Sequence, residues 1–433
     1  MENRIFHNAN IGQWMNGNFS VMLGALFCLS CMDDLPDFRG PYLSWTQSPQ
    51  TTVTITWESL EDSMNFLNWG TAQNALENPA TVHRGKRRDD MYYHYSTTIR
   101  NLAPDTHYYY QVESLQNKPA GFRTAPLEPQ SAFSFLLYGD SCETDKTTRN
   151  EHYDVVKQMM ALEKDSPVRF VISSGDLTPN FSDAYGWDLH FDAIRNLSDH
   201  LPFFTPFGNH DWNVRDVKSH YLPALWIHEF PSENSADGTV RAHEETSYAI
   251  AYGDAYFVFM GYDKIGAPTG DPFNRWLEAT LSYARQNYAF TFVDMHRPPF
   301  DRRGKKYEDE IQMLRHQAHL FHQYEVTAVF SGHNHVFAHI EIEKDVPGKS
   351  DPVPVTYLIS GGGGQDLRTA HKGTWQNRYG LGYFGHTVFT HSAYHVVRAD
   401  IDGVAKTVTF TVIDINGATL YGPLQKRSKR GQK

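Results

Sequence analysis

Five short apolar runs in this chain, four of them ending at or beside a glycine, hand over to side chains that bind metals or move protons. Phe133–Tyr138 runs into Gly139-Asp140, Val168–Ser173 into Ser174-Gly175-Asp176, and Phe203–Phe207 into Gly208-Asn209-His210-Asp211. Tyr288–Met295 runs into His296, and Val326–Phe330 into Ser331-Gly332-His333-Asn334-His335. Such runs, bounded by glycine, read as buried strands. A glycine lets the backbone turn sharply and approach a ligand closely. In an α/β sheet, side chains just past the carboxyl ends of the strands converge on one crevice. One tip alone carries little, because Gly, Asn and Asp also make ordinary turns; five in register point to one site. Asp140, Asp176, Asn209, His296, His333 and His335 form a mixed oxygen and nitrogen donor set that suits Fe, Zn or Mn better than calcium. With six donors, one carboxylate can bridge two ions about 3.5–4 Å apart, the arrangement that activates water and clamps a phosphoryl group.

The text around these tips changes rhythm once. From Arg39 to Pro126 it alternates at period two, with Val53, Ile55 and Trp57 set among threonines, and strand-like segments at Pro41–Trp45, Asn65–Trp69, Tyr92–Ile99 and Tyr108–Val112. That pattern predicts an antiparallel sandwich over 39–126. Leu102 to Tyr110 resembles the fibronectin type III corner, in which a tyrosine near the start of a late strand ties back to the preceding turn. Ala125 to Pro129 reads as a linker. After Ser131, strands alternate with helical spacing such as Val155, Val156, Met159 and Met160, so an α/β domain is expected over 131–420. A hairpin is expected around Gly253-Asp254, a helix over Tyr307–Tyr324, and a hairpin turn at Asp402-Gly403. Gly361–Gly364 reads as a flexible loop rather than a phosphate cradle, because no Lys-Ser or Lys-Thr follows.

A length of 433 residues exceeds one usual core, which makes two domains the expectation. A net charge of −11, with no long basic run except Lys426 to Lys433 in a basic tail over 421–433, argues against a nucleic-acid partner. Three cysteines, Cys28, Cys31 and Cys142, exclude a disulfide framework. The apolar run Val21–Leu29 suits the core of an export signal over 1–31 and is too short to span a bilayer. Ser30-Cys31 resembles a bacterial lipoprotein cleavage site, which implies membrane attachment through a lipidated Cys31 and an exported chain, although Cys28 stands where leucine is usual.

In the order Gly139-Asp140, Gly175-Asp176, Gly208-Asn209-His210-Asp211, His296 and Gly332-His333-Asn334-His335, the chain resembles the metallophosphoesterase (calcineurin-like) superfamily and its purple acid phosphatase-like branch. The resemblance runs over roughly Arg39 to Leu420. It implies a fibronectin III-like all-β sandwich followed by an α/β domain built as a four-layer α/β/β/α sandwich. It also implies two metal ions, Fe with Zn, Mn or Fe. Asp140 and His335 would hold the first ion, Asp176 would bridge, and Asn209, His296 and His333 would hold the second. The implied reaction is acid phosphatase-like hydrolysis of a small phosphorylated substrate by a metal-activated hydroxide. His210 would donate the proton to the leaving oxygen, with Asp211 orienting it.

Two positions depart from the pattern. Pro179 stands where a purple acid phosphatase has the tyrosine that colours its iron, so no tyrosinate band is expected. Cys142 stands where other branches place histidine, and it has two readings, a thiolate ligand to the first metal or a small buried cysteine. Arg297, Arg302, Arg303, Lys305 and Lys306 follow His296 and either steer phosphate or solvate a loop. A phosphodiesterase or nucleotidase on the same metals is the alternative activity, the pocket being shaped by loops such as 212–245. A surface-binding protein over a degenerate catalytic domain is the rival class, and the intact donor set argues against it.

Overall fold

The computed structural model describes residues 37–430, apart from 63–65, 86–91, 114, 117, 143–150, 181–183, 212–229, 237, 244–245, 262–263, 269, 302–312 and 378–379. The expected export signal with Cys28 and Cys31, the basic residues Arg302, Arg303, Lys305 and Lys306, and most of the loop 212–245 lie outside the described residues. No described helix is long and apolar enough to cross a membrane.

The period-two text builds strands β1 (Phe38–Ser44), β2 (Val53–Ser59), β3 (Leu67–Gly70), β4 (Asn78–Ala80), β5 (His83–Arg84), β6 (Tyr93–Ile99), β7 (His107–Val112) and β8 (Ala120–Arg123). They form two antiparallel sheets, β1-β2-β6-β5 and β4-β3-β7-β8, closed over Val53, Ile55, Trp57, Tyr95, Tyr110 and Phe122. Trp57 stacks on Tyr95 at 5.8 Å between ring centroids. The Ala103 amide donates to the Tyr108 hydroxyl at 2.8 Å, so the tyrosine at the start of β7 ties back to the turn before it.

The second part comprises β9 (Phe133–Tyr138), β10 (Val171–Ser173), β11 (Phe203–Phe204), β12 (Val240–His243), β13 (Ser247–Tyr252), β14 (Ala255–Met260), β15 (Phe290–Met295) and β16 (Ala328–Ser331). It continues with β17 (Phe337–Lys344), β18 (Val353–Ser360), β19 (Thr374–Gln376), β20 (Tyr383–His391), β21 (His395–Asp402), β22 (Thr407–Asp414) and β23 (Thr419–Arg427). A six-stranded sheet, β11-β10-β9-β21-β22-β23, faces a nine-stranded one, β12-β13-β14-β15-β16-β18-β17-β20-β19. Strand β14 shows why they face each other. Ala255, Phe257 and Phe259 join the core between the sheets, while Tyr256, Val258 and Met260 join the core under the outer helices. Phe135 stacks on Phe170 at 5.3 Å and meets Phe257 edge-on at 5.2 Å, so aromatic rings fill the space between the layers. Helix Glu151–Asp165 packs Val155 and Met159 against the six-stranded sheet. Helix Pro272–Asn287 packs Phe273, Leu277 and Leu281 against the nine-stranded sheet. The result is the α/β/β/α arrangement.

The expected linker does not behave as one. From Phe38 onward the chain is a single compact unit. Ala125 is fully buried in the catalytic core, and its amide donates to the Pro49 carbonyl at 2.9 Å. Strand β1 joins the two parts. Tyr42 stacks on Phe191 at 5.1 Å, and Trp45 stacks on Tyr252 at 5.4 Å. Arg39 reaches Glu58 at 2.9 Å and Asp188 at 2.7 Å with all three groups buried. Burying those charges without each other would cost more than the pairing returns, so the interface is specified as well as packed. The basic tail also needs correction. Residues 419–427 form edge strand β23, Lys426 pairs with Glu341, and Lys429 donates to the Pro354 carbonyl at 2.6 Å. The described helix before Gln323 begins with a π-helical turn at Leu314–Ala318, and the earlier part of the expected helix lies outside the described residues.

Candidate metal centre

Strands β9, β10 and β11 run parallel in one sheet, and β14, β15 and β16 run parallel in the other. Their carboxyl ends therefore deliver Asp140, Asp176 and the Asn209–Asp211 turn from one layer, and His296 and the His333–His335 turn from the other. Backbone bonds lace the turns together. Asp140 N donates to Gly175 O at 3.0 Å, Ser141 N and Cys142 N both donate to Asp176 O at 3.1 Å, and Gly332 N donates to His296 O at 2.9 Å. Asp140, Asp176 and His333 have φ of 57°, 54° and 65°. Left-handed backbone at three non-glycine residues is uncommon, and such strain clusters at functional sites.

The side chains then meet. One ligand atom each from Asp176, His296 and His333 lie within 4.8 Å of one another. His296 Nε2 is 3.2 Å from Asp176 Oδ2 and 3.1 Å from Asn209 Oδ1. His335 Nε2 lies 3.6 Å from Asp140 Oδ1. Main-chain carbonyls fix the ring orientations. His296 Nδ1 donates to Ser174 O at 2.8 Å and His335 Nδ1 donates to Asp366 O at 2.7 Å, leaving each Nε2 for the centre. Ser174 Oγ in turn donates to the buried Asp294 at 2.7 Å. Burial opposes charge on His296, and Asp176 beside it outweighs that, raising the imidazole to about 9. The Asp176 carboxylate is held down: burial pushes it up, and the His296 charge more than compensates.

Glycines make room for this. A Cβ on Gly208 would fall 2.1 Å from Asp176 Oδ1, and one on Gly332 would fall 2.4 Å from Asp140 Oδ2. Gly361 to Gly364 are all buried, and a Cβ on Gly361, Gly362 or Gly363 would fall 2.3 Å from a neighbouring carbonyl oxygen. The loop expected to be flexible is instead a close-packed floor beneath Asp140, because its lack of side chains is used for backbone contact. Two buried carboxylates facing three imidazoles and a carboxamide, in a pocket built around glycines, fit divalent or trivalent cations.

Of the other residues singled out by the sequence, His210 lies at the rim, with its side chain 37% exposed and Nε2 4.0 Å from Asp176 Oδ2. Its backbone N–H donates to Asp176 Oδ1 at 2.9 Å. Asp211 does not orient it. That carboxylate is fully buried and accepts backbone N–H bonds from Leu177 at 2.8 Å, Thr178 at 3.2 Å and Gly208 at 2.8 Å. It braces the turns, and the His210 ring is held by Pro179 O at 2.7 Å from Nδ1. Cys142 is a buried thiol that burial, with Asp176 and Asp140 nearby, pushes well up. Among the described residues it belongs to no cluster of metal donors. Sequence reasoning missed the orienting carbonyls of Ser174, Pro179 and Asp366, which carry no residue-type signal. It also missed the tie from Asn334 Nδ2 to Asp301 at 3.0 Å that joins the two histidine-bearing turns.

Comparison with known proteins shows the family and the fold. Residues 39–132 match the family model for the N-terminal domain of purple acid phosphatase, and residues 105–337 match that for calcineurin-like phosphoesterase. A purple acid phosphatase of Glycine max is 28% identical over 82% of this chain and 80% of its own length. A phosphoenolpyruvate phosphatase of Allium cepa is 24% identical over 72% of this chain and 67% of its own. The structure of purple acid phosphatase PPD1 from yellow lupin superposes with a TM-score of 0.68 at 18% identity, over 90% of this chain and 75% of that one, and so shares the fold. The chain belongs to the calcineurin-like phosphoesterase family and to its purple acid phosphatase-like branch of metal-dependent phosphoric ester hydrolases.

Proposed function

We propose that the chain hydrolyses phosphate monoesters at a binuclear centre for which Asp140 and His335 would hold one ion, Asn209, His296 and His333 would hold the other, and Asp176 would serve both. The observation that carries the reading is the convergence of Asp176, His296 and His333 within 4.8 Å, with Asp140 and His335 paired 3.6 Å from each other on the neighbouring turns. Nitrogen and oxygen donors without a phenol at Pro179 favour iron with zinc, manganese or a second iron. When bound, the cations lower the pKa of water and neutralise charge on the phosphoryl oxygens.

The protein's own groups do the rest. Ser174 O and Asp366 O keep the His296 and His335 rings turned inward. His210 lies at the rim, with its side chain 37% exposed. Because a carbonyl only accepts, Nδ1 carries the proton that binds Pro179 O, and in the imidazolium form Nε2 carries a second. As water oxygen bonds to phosphorus and the bond to the leaving oxygen breaks, that second proton passes to the leaving group. Cys142 is assigned no step. Export through residues 1–31 belongs to the same reading, and the mass of the mature N-terminus tests it.

Metal analysis of purified protein, with paired assays on an aryl phosphate monoester and the matching diester across a pH range, tests the proposal. Two ions per chain and faster turnover of the monoester are expected. Faster turnover of the diester would move the assignment to a phosphodiesterase, and a protein with no metal and no turnover would overturn it.

A further inference from the structure

The segment after the glycine floor, Gln365 to Arg368, is bound to both ligand-bearing turns. Gln365 N donates to Asp140 O at 2.9 Å, His335 Nδ1 donates to Asp366 O at 2.7 Å, and Arg368 N donates to His335 O at 3.0 Å. At the end of this fixed segment the Arg368 side chain donates through Nη1 to His333 O at 3.3 Å. The guanidinium is exposed, no carboxylate among the described residues forms an ion pair with it, and the nearby Asp366 carboxylate is also exposed. A cation is thus pinned to the main chain of the two histidines that face the centre, in a protein whose net charge is −11. By covalent reach, the head group lies within roughly 10 Å of the His333 ring, the span of a small phosphate ester.

We propose that Arg368 sets substrate preference by binding a second anionic group, carboxylate or phosphoryl, on the phosphate ester or anhydride being hydrolysed. The inference rests on the phosphohydrolase reading and deepens it. Arginine presents five donors in a planar fork that matches either anion, and one backbone bond leaves the outer edge of that fork for a ligand. The Gln365–Arg368 anchors mean that little ordering is needed when the anion arrives. Alternation and spacing gave no hint of this residue, because its relation to the centre comes from the return of the chain after β18.

The test compares phosphoglycolate and inorganic pyrophosphate with 2-hydroxyethyl phosphate, which has a neutral group where phosphoglycolate has its carboxylate. The metal-loaded full chain and its Arg368→Gln and Arg368→Lys variants are assayed, with metal content measured for each. In the wild type, kcat/KM is expected to favour at least one doubly anionic substrate by about tenfold. Arg368→Gln brings that ratio close to unity, chiefly through KM, and Arg368→Lys keeps part of it. Whichever ratio falls, that of phosphoglycolate or that of pyrophosphate, identifies the second group as carboxylate or phosphoryl. A ratio unchanged by Arg368→Gln overturns the proposal. So does an equal loss on all three substrates, which would make Arg368 only a brace for the His333–His335 turn. A wild type that turns over an aryl phosphate but neither doubly anionic substrate overturns the Arg368 proposal alone, whereas one that turns over no phosphate ester, aryl phosphate included, removes the phosphohydrolase reading itself.

Discussion

The carbonyl oxygen of Pro179 accepts a 2.7 Å hydrogen bond from Nδ1 of His210. The residue that replaces an expected metal-binding phenol therefore orients the ring proposed to donate the proton. A carbonyl places no demand on the residue type at 179, which is why the relation could not be read from the motif.

Replacing His210 separates proton donation from metal binding. His210→Asn is expected to lower kcat about 100-fold or more while leaving metal content unchanged, since general acids contribute on that scale. Steady-state kinetics with metal analysis checks this, and full turnover in the variant would exclude the role.

Gly208 is the tightest point of the pocket. In Gly208→Ala the new methyl would meet Asp176 Oδ1 at 2.1 Å and Asp176 N at 2.4 Å. The backbone cannot easily yield there, so a stability loss of about 1–3 kcal/mol and at least a tenfold loss of turnover are expected. Thermal unfolding and metal stoichiometry provide the readout, and wild-type values for both would show that the turn relaxes freely.

Metal binding should expel a proton. With no cation bound, Asp176 keeps the His296 imidazole protonated up to about pH 9, against an ordinary value of 6.5. Because the folded value is raised, the ion pair stabilises the metal-free fold fully below about pH 6.5 and fades as the pH rises through 9. The same proton competes with the cation, so apparent zinc affinity is expected to rise with pH up to about 9. Calorimetry in buffers of different ionisation enthalpy measures the protons released. Release of none between pH 6 and 8 would contradict the pairing.

How much of this was legible depends on how local the signal is. The five strand tips were readable because each apolar-to-polar step, four of them through a glycine, lies within a few residues, and the period-two text before Pro126 specified a sandwich. The helix Pro272–Asn287 also had a local signal that the reading passed over: Asp271 caps it by accepting from Phe273 N at 2.8 Å, with proline at its first turn. Strand β20 was missed because Tyr383–His391 is largely outward-facing and carries Gly385 near its start, a position that only glycine fills because a Cβ there would strike Glu341 O at 2.0 Å. Asp211 adjoins His210 in sequence, yet its carboxylate turns the other way, toward Leu177 and Gly208. Adjacency in the chain did not give adjacency of function.

The join between the two parts is a buried charge cluster. Arg39→Ala would leave Glu58 and Asp188 buried without their cation, and a loss of about 3–5 kcal/mol is expected. Denaturant unfolding measures it, and a loss below about 1 kcal/mol would mean that the aromatic contacts of Tyr42 and Trp45 hold the interface alone.

The central claim is that Asp176 joins two ions into one hydrolytic centre. The most direct measurement is metal stoichiometry and aryl phosphate turnover on the same samples of wild type and Asp176→Asn, before and after chelation and after metal is restored. The account predicts two ions and turnover that is lost on chelation and recovered in the wild type. In Asp176→Asn it predicts fewer than two ions and little turnover under any condition. Turnover that survives chelation, or an Asp176→Asn protein that keeps both ions and full activity, would contradict it.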